Sequence, residues 1–139
     1  MKVKEVMHGG ATWIGPDTPV TEIAEKMRNE DIGAIPVGEN DRLIGMVTDR
    51  DIVVRGLSGE SDPLQLSARD VMSKPIVWCS ANEELDDAVQ IMESKQIRRL
   101  PVIDENKRMV GMLSLGDVAA KAPPAICSET LRAVSAHHA

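Results

Sequence analysis

The chain has 139 residues, 42% of them hydrophobic and 27% charged, which is one domain's worth of sequence and enough for a sizeable core. A formal net charge of −6, with no basic run, argues against nucleic acid, whose recognition depends on clustered Lys and Arg, and against a membrane surface. No stretch approaches the roughly 18 apolar residues of a membrane span, and Met1-Lys2-Val3-Lys4-Glu5 is not a signal peptide, so a cytoplasmic protein is expected.

The chain is written twice. At an offset of 65 residues Val6-Met7 falls on Val71-Met72, Trp13 on Trp78, Met27 on Met92, Ile32 on Ile97 and Pro36-Val37 on Pro101-Val102. After one inserted residue Gly45-Met46 falls on Gly111-Met112 and Asp51 on Asp117. In chain order, each copy starts with an extended stretch, Ala11 to Ile14 or Ile76 to Cys79. A helix follows. In the first copy Asp17 or Thr18 can cap it, Pro19 suits its first turn, and Val20, Ile23, Ala24 and Met27 form its apolar stripe. The second copy has Asn82 as cap and Leu85, Ala88, Val89 and Met92 as stripe.

A hairpin comes next: Ala34 to Val37 and Leu43 to Val47 around Gly38 to Arg42, then Leu100 to Ile103 and Met109 to Leu113 around Asp104 to Arg108. A second helix starts near Thr48 and near Ser114. The spacing therefore predicts an α+β chain: a first repeat over 1–56, a linker over 57–67, a second repeat over 68–122 and a tail over 123–139 with a short helix. One unit alone is too small to bury much surface, so the two are expected to form one cooperative domain. With two Trp and neither Phe nor Tyr, the core must come from Val, Ile, Leu, Ala and eight Met, whose spacing follows the helix stripes and strands.

The chemically informative element sits where the hairpin enters the second helix. Gly45-Met46-Val47-Thr48-Asp49-Arg50-Asp51 and Gly111-Met112-Leu113-Ser114-Leu115-Gly116-Asp117 share G-h-h-[ST]-x-x-D, with h apolar. A helix N-terminus attracts phosphate, and the Thr48 or Ser114 hydroxyl adds a donor. Asp51 and Asp117 repel phosphate but accept a donor pair such as the two hydroxyls of a ribose. The same pattern also resembles a capping box, and both readings stay open here.

This doubled unit resembles a tandem CBS-domain pair, or Bateman module, over residues 1 to about 121. The likeness rests on the element order, the Ile35-Pro36-Val37 and Leu100-Pro101-Val102 steps and the two G-h-h-[ST]-x-x-D turns. It implies two β-α-β-β-α repeats packed sheet to sheet with pseudo-twofold symmetry. It also implies clefts for AMP, ADP, ATP, NAD or S-adenosylmethionine. Thr48 and Ser114 would meet phosphate, and Asp51 and Asp117 would meet ribose. The backbone at Thr12, Trp13 and Ile14 and at Val77, Trp78 and Cys79, with Ile35-Pro36 and Leu100-Pro101, would line the adenine. A homodimer is expected, with an effector protein yet to be identified.

The copies differ before the Pro-Val step, Gly33-Ala34 against Arg98-Arg99. Arginine forks match phosphate oxygens, so Arg98, Arg99 and Arg50 are candidate phosphate ligands, with surface ion pairs as the alternative. Trp13 and Trp78 read as core residues that are also placed to stack on a base. His8, His137 and His138 lack a partner at ligand spacing and read as surface residues. Cys79 and Cys127 stand apart with no C-x-x-C neighbour; a reducing compartment is expected, and a disulfide stays open. No nucleophile–base pair, paired acids or metal triad is visible, so no enzymatic activity and no metal are expected. The leading function is a regulatory module that binds an adenosyl ligand. The alternative is a ligand-free CBS-type dimerisation scaffold.

Overall fold

The computed structural model describes residues 1–9, 12–74 and 77–136. The chain forms two compact units, a continuous one, Thr12–Ile76, and a split one assembled from Met1–Ala11 and Val77–Ala139. The units are therefore offset from the repeats read in the sequence, because each repeat's leading residues pack into the other repeat's unit.

In the split unit a 3-10 turn, Val3–Glu5, leads into strand β1 (His8–Gly9). In the continuous unit the long helix α1 (Val20–Glu30) precedes the hairpin of β2 (Ala34–Glu39) and β3 (Arg42–Thr48). A short helix α2 (Asp49–Asp51) follows and widens into a π-helical stretch, Ile52–Leu57. The linker holds a 3-10 turn, Pro63–Gln65, and runs into helix α3 (Ala68–Val71) of the same unit. Back in the split unit come β4 (Cys79–Ser80), α4 (Leu85–Lys95), β5 (Arg99–Ile103), β6 (Met109–Ser114), α5 (Leu115–Lys121) and α6 (Pro124–Val134).

The split unit's sheet has the order β1-β6-β5-β4, with β4 parallel to β5 and the other pairs antiparallel. The continuous unit repeats this order around β2 and β3: Ser73 bridges Met46 antiparallel, as His8 does Met112, and Ile14 bridges Val37 parallel, as Cys79 pairs Val102. The first hairpin turns through Asn40 and Asp41, both at positive φ, as a two-residue connection matching strand twist requires.

The exchange of leading segments also corrects the helix starts. Pro19 and Glu84 occupy the cap positions without a side-chain bond, so Asp17, Thr18 and Asn82 do not cap. Instead the first amide of each helix donates to the incoming segment, Val20 N–H to the Leu66 carbonyl at 2.9 Å and Leu85 N–H to the Met1 carbonyl at 2.8 Å. A cation from the second helix of each unit then satisfies carbonyls at the end of that segment. Arg55 Nη1 reaches the Met72 oxygen at 2.8 Å, and Lys121 Nζ reaches the Val6 oxygen at 3.2 Å.

Each unit has its own core, Ile14, Val20, Ile23, Met27, Ile35 and Val37 among the residues of one, Leu85, Ala88, Val89, Met92, Leu100 and Leu113 among those of the other. Ala24, expected in the first stripe, is exposed, whereas its counterpart Val89 is buried. The tail explains the difference: α6 packs on α4 and α5, and its Val134 joins the buried cluster that contains Val89 and Val118. Cys79 is buried, and both thiols are free. No helix among the described residues is long and apolar enough to cross a membrane.

Candidate functional site

The hairpin-to-helix turn has one geometry in both units. Thr48 Oγ1 accepts the Asp51 N–H at 3.0 Å while Asp51 Oδ2 accepts the Thr48 N–H at 2.9 Å. Ser114 Oγ and Asp117 Oδ2 make the same reciprocal pair at 3.0 and 2.9 Å. These are complete capping boxes. The first amide of each helix is taken as well, Asp49 N–H by the Gly33 carbonyl at 3.0 Å and Leu115 N–H by the Arg98 carbonyl at 2.8 Å. The free-amide phosphate cradle expected at this turn is thus used largely within the chain. Each hydroxyl still keeps its own hydrogen to donate, and each carboxylate still has an oxygen with spare acceptor capacity.

The exchanged segments add a third member to each turn. The Ser73 hydroxyl lies 3.3 and 3.4 Å from the two oxygens of Asp51. At the matching place His8 Nδ1 lies 2.8 Å from Asp117 Oδ2. Burial works against ionisation of Asp117, but the Ser114 backbone N–H, His8 and the Ser114 side chain outweigh it and hold the carboxyl below the usual range. His8 therefore has a carboxylate partner that sequence spacing concealed. The signal available was the offset: His8 and Ser73 both follow a Val-Met pair.

Arg99 stands directly across the ladder from Ser114, and Arg98, Arg99 and Arg50 are all exposed. None of the three enters an ion pair among the described residues. Ile14 joins the hairpin edge, its N–H on the Pro36 carbonyl at 3.1 Å and its carbonyl receiving the Gly38 N–H at 2.8 Å. Ile14, Ile35, Pro36, Cys79, Leu100 and Pro101 are buried, and Val77 is half-buried. The Thr12 hydroxyl donates to Glu30 at 2.6 Å. Trp13 and Trp78 are not core residues. They are 40% and 47% exposed, and the Trp13 ring lies so close over Gly38 that only a residue without a Cβ fits beneath it.

Two copies of one strand–helix–strand–strand–helix unit, each closed by the same turn, make the chain a CBS-domain pair. The chain belongs to the CBS domain family, whose model matches residues 3–57 and 68–123. It is 37% identical over 132 residues to hypoxic response protein 1 of Mycobacterium tuberculosis, covering 94% of this chain and 92% of that protein. To the CBS domain-containing protein YhcV of Bacillus subtilis it is 41% identical over 117 residues, covering 84% and 82% of the two chains. The crystal structure of hypoxic response protein I with two coordinated zinc ions superposes with a TM-score of 0.80 at 39% identity, covering 88% of this chain and all of that one. CBSX2 in complex with AMP shares the fold, with a TM-score of 0.77 at 23% identity over 87% of this chain and 95% of that one. Among the described residues no group of three or more His, Cys, Asp or Glu side chains could hold a metal ion; His137 and His138 lie outside them.

Proposed function

We propose that this CBS pair is a non-catalytic regulatory module that binds an adenine nucleotide or adenosyl ligand at its two hairpin-to-helix turns. The observation that carries the reading is the repeated juxtaposition of a hydroxyl and a carboxylate in both units, Thr48 with Asp51 and Ser114 with Asp117. Asp51 and Asp117 would take the ribose hydroxyls, Thr48 and Ser114 the phosphate, and Arg99, Arg98 or Arg50 the remaining phosphate charge. Base contacts fall to the backbone at Thr12, Trp13 and Ile14 and at Val77, Trp78 and Cys79, next to Ile35-Pro36 and Leu100-Pro101. The proteins of this fold described in complex with AMP, and with 5′-methylthioadenosine and S-adenosyl-L-methionine, support the ligand class. AMP, ADP, ATP, NAD and S-adenosylmethionine remain the candidates.

Output would pass through an effector protein or through self-association as a homodimer in the cytoplasm. Val53, Val54 and Leu57, exposed on the second helix of the continuous unit, support a protein-contact role.

Thermal unfolding with each ligand at about 1 mM tests the reading, since about 100 times the dissociation constant stabilises by about 2.7 kcal/mol. A shift with one ligand that is lost in Asp51→Ala or Asp117→Ala supports it. No shift with any of them favours the second reading, a ligand-free dimerisation scaffold, which the completeness of the capping boxes without a ligand supports.

A further inference from the structure

The two turns share one capping hydrogen-bond pattern but differ in the third group at the carboxylate, where one unit brings Ser73 and the other brings His8. A bidentate grip on two ribose hydroxyls needs an open lone pair on each carboxylate oxygen. In the continuous unit that condition holds. Asp51 Oδ2 has one short bond, from Thr48, and the Ser73 hydroxyl at 3.3 to 3.4 Å is a neutral rotor that can turn away or donate elsewhere. In the split unit Asp117 Oδ2 already receives two short N–H bonds, from Ser114 at 2.9 Å and from His8 at 2.8 Å. Both of its lone pairs are used, and only Oδ1 is left for a ligand.

Resting on the nucleotide-binding reading above, we propose that His8 is a specificity-determining residue that makes the two sites unequal by competing with the ribose for Asp117. The Thr48–Asp51 site then fills first, and the Ser114–Asp117 site fills only when the ligand displaces His8. Few other charges bear on it. The adjoining strand β6 carries no ionisable side chain, and α5 presents Asp117 itself and Lys121, whose ammonium sits on the Val6 carbonyl. In the turn before β1, Glu5 accepts the Lys2 backbone N–H and Lys4 is exposed.

AMP titration by calorimetry tests the proposal. Wild type should show two unequal sites. In an Asp51→Ala background, which isolates the split-unit site, His8→Ser should tighten AMP by about tenfold, the scale of one hydrogen bond to a charged group. Asp51→Ala protein that binds no AMP until His8→Ser is added gives the same support. Equal wild-type sites, no change with His8→Ser, or weaker binding with His8→Ser would overturn the role of His8 while leaving nucleotide binding intact. Wild type that binds no AMP overturns both.

Discussion

Gly111 lies directly against the His8 backbone, so close that a β-carbon on Gly111 would stand 2.5 Å from the His8 carbonyl oxygen. The first glycine of each G-h-h-[ST]-x-x-D turn is thus a seat for the exchanged leading segment, since β1 can dock on β6 only where no side chain intervenes. At Gly45 the obstructing group is the Met72 side chain, whose thioether can rotate away, whereas the His8 carbonyl belongs to a ladder. Gly111→Ala is expected to cost about 2–3 kcal/mol and Gly45→Ala about 1 kcal/mol, within the range for overpacking. Urea unfolding of the two variants checks the order, and equal losses would contradict it.

Acid stability should depend on Asp117. Its folded-state carboxyl lies below the ordinary carboxylate range, so the charged form is favoured by folding. The sign follows: its contribution is fully present above about pH 4, where the unfolded carboxylate is ionised, and disappears as the pH falls through the lower folded value. Asp117→Asn should lower the melting temperature at pH 7, and its gap to wild type should narrow as the pH falls below about 4. A gap that stays constant with pH would locate the effect in packing.

The two thiols should separate chemically. Burial, with Glu83 adding to it, pushes the Cys79 thiol up to about 12, so almost no thiolate exists at neutral pH. Cys127 is half-buried, with its sulfur on the Val118 carbonyl at 3.1 Å. Iodoacetamide at pH 8 should label Cys127 alone in native protein and Cys79 only after denaturation, as read by intact mass and peptide mapping.

The tail should behave as part of the core. Val134 is 2% exposed within the cluster of α4 and α5, whereas Leu131 on the same helix is 55% exposed. Val134→Ala should cost about 1–3 kcal/mol and Leu131→Ala within about 0.5 kcal/mol, measured by chemical denaturation. Comparable small effects would mean that α6 is not an essential cover.

Much of this architecture is legible in residues alone. Hydrophobic steps three and four apart mark both long helices, short apolar runs around polar turns mark both hairpins, and the 65-residue offset states that one unit occurs twice. Less legible were the caps and the two tryptophans. A cap written into the sequence at Asp17 or Asn82 is superfluous once a carbonyl from Leu66 or Met1 reaches the helix end. Both indoles read as buried strand residues, whereas the Trp13 ring lies over Gly38 and both side chains stay exposed.

The sequence by itself determined the repeat, the element order, the family and the paired Thr48–Asp51 and Ser114–Asp117 turns, because these depend on neighbours a few residues apart. Only the tertiary structure decided which leading segment serves which unit, that α6 buries Val89 while Ala24 stays exposed, and that His8 meets Asp117 where Ser73 meets Asp51. Those pairings join residues as much as 109 apart, and nothing in local periodicity encodes a contact whose partner is brought in by the closure of the chain.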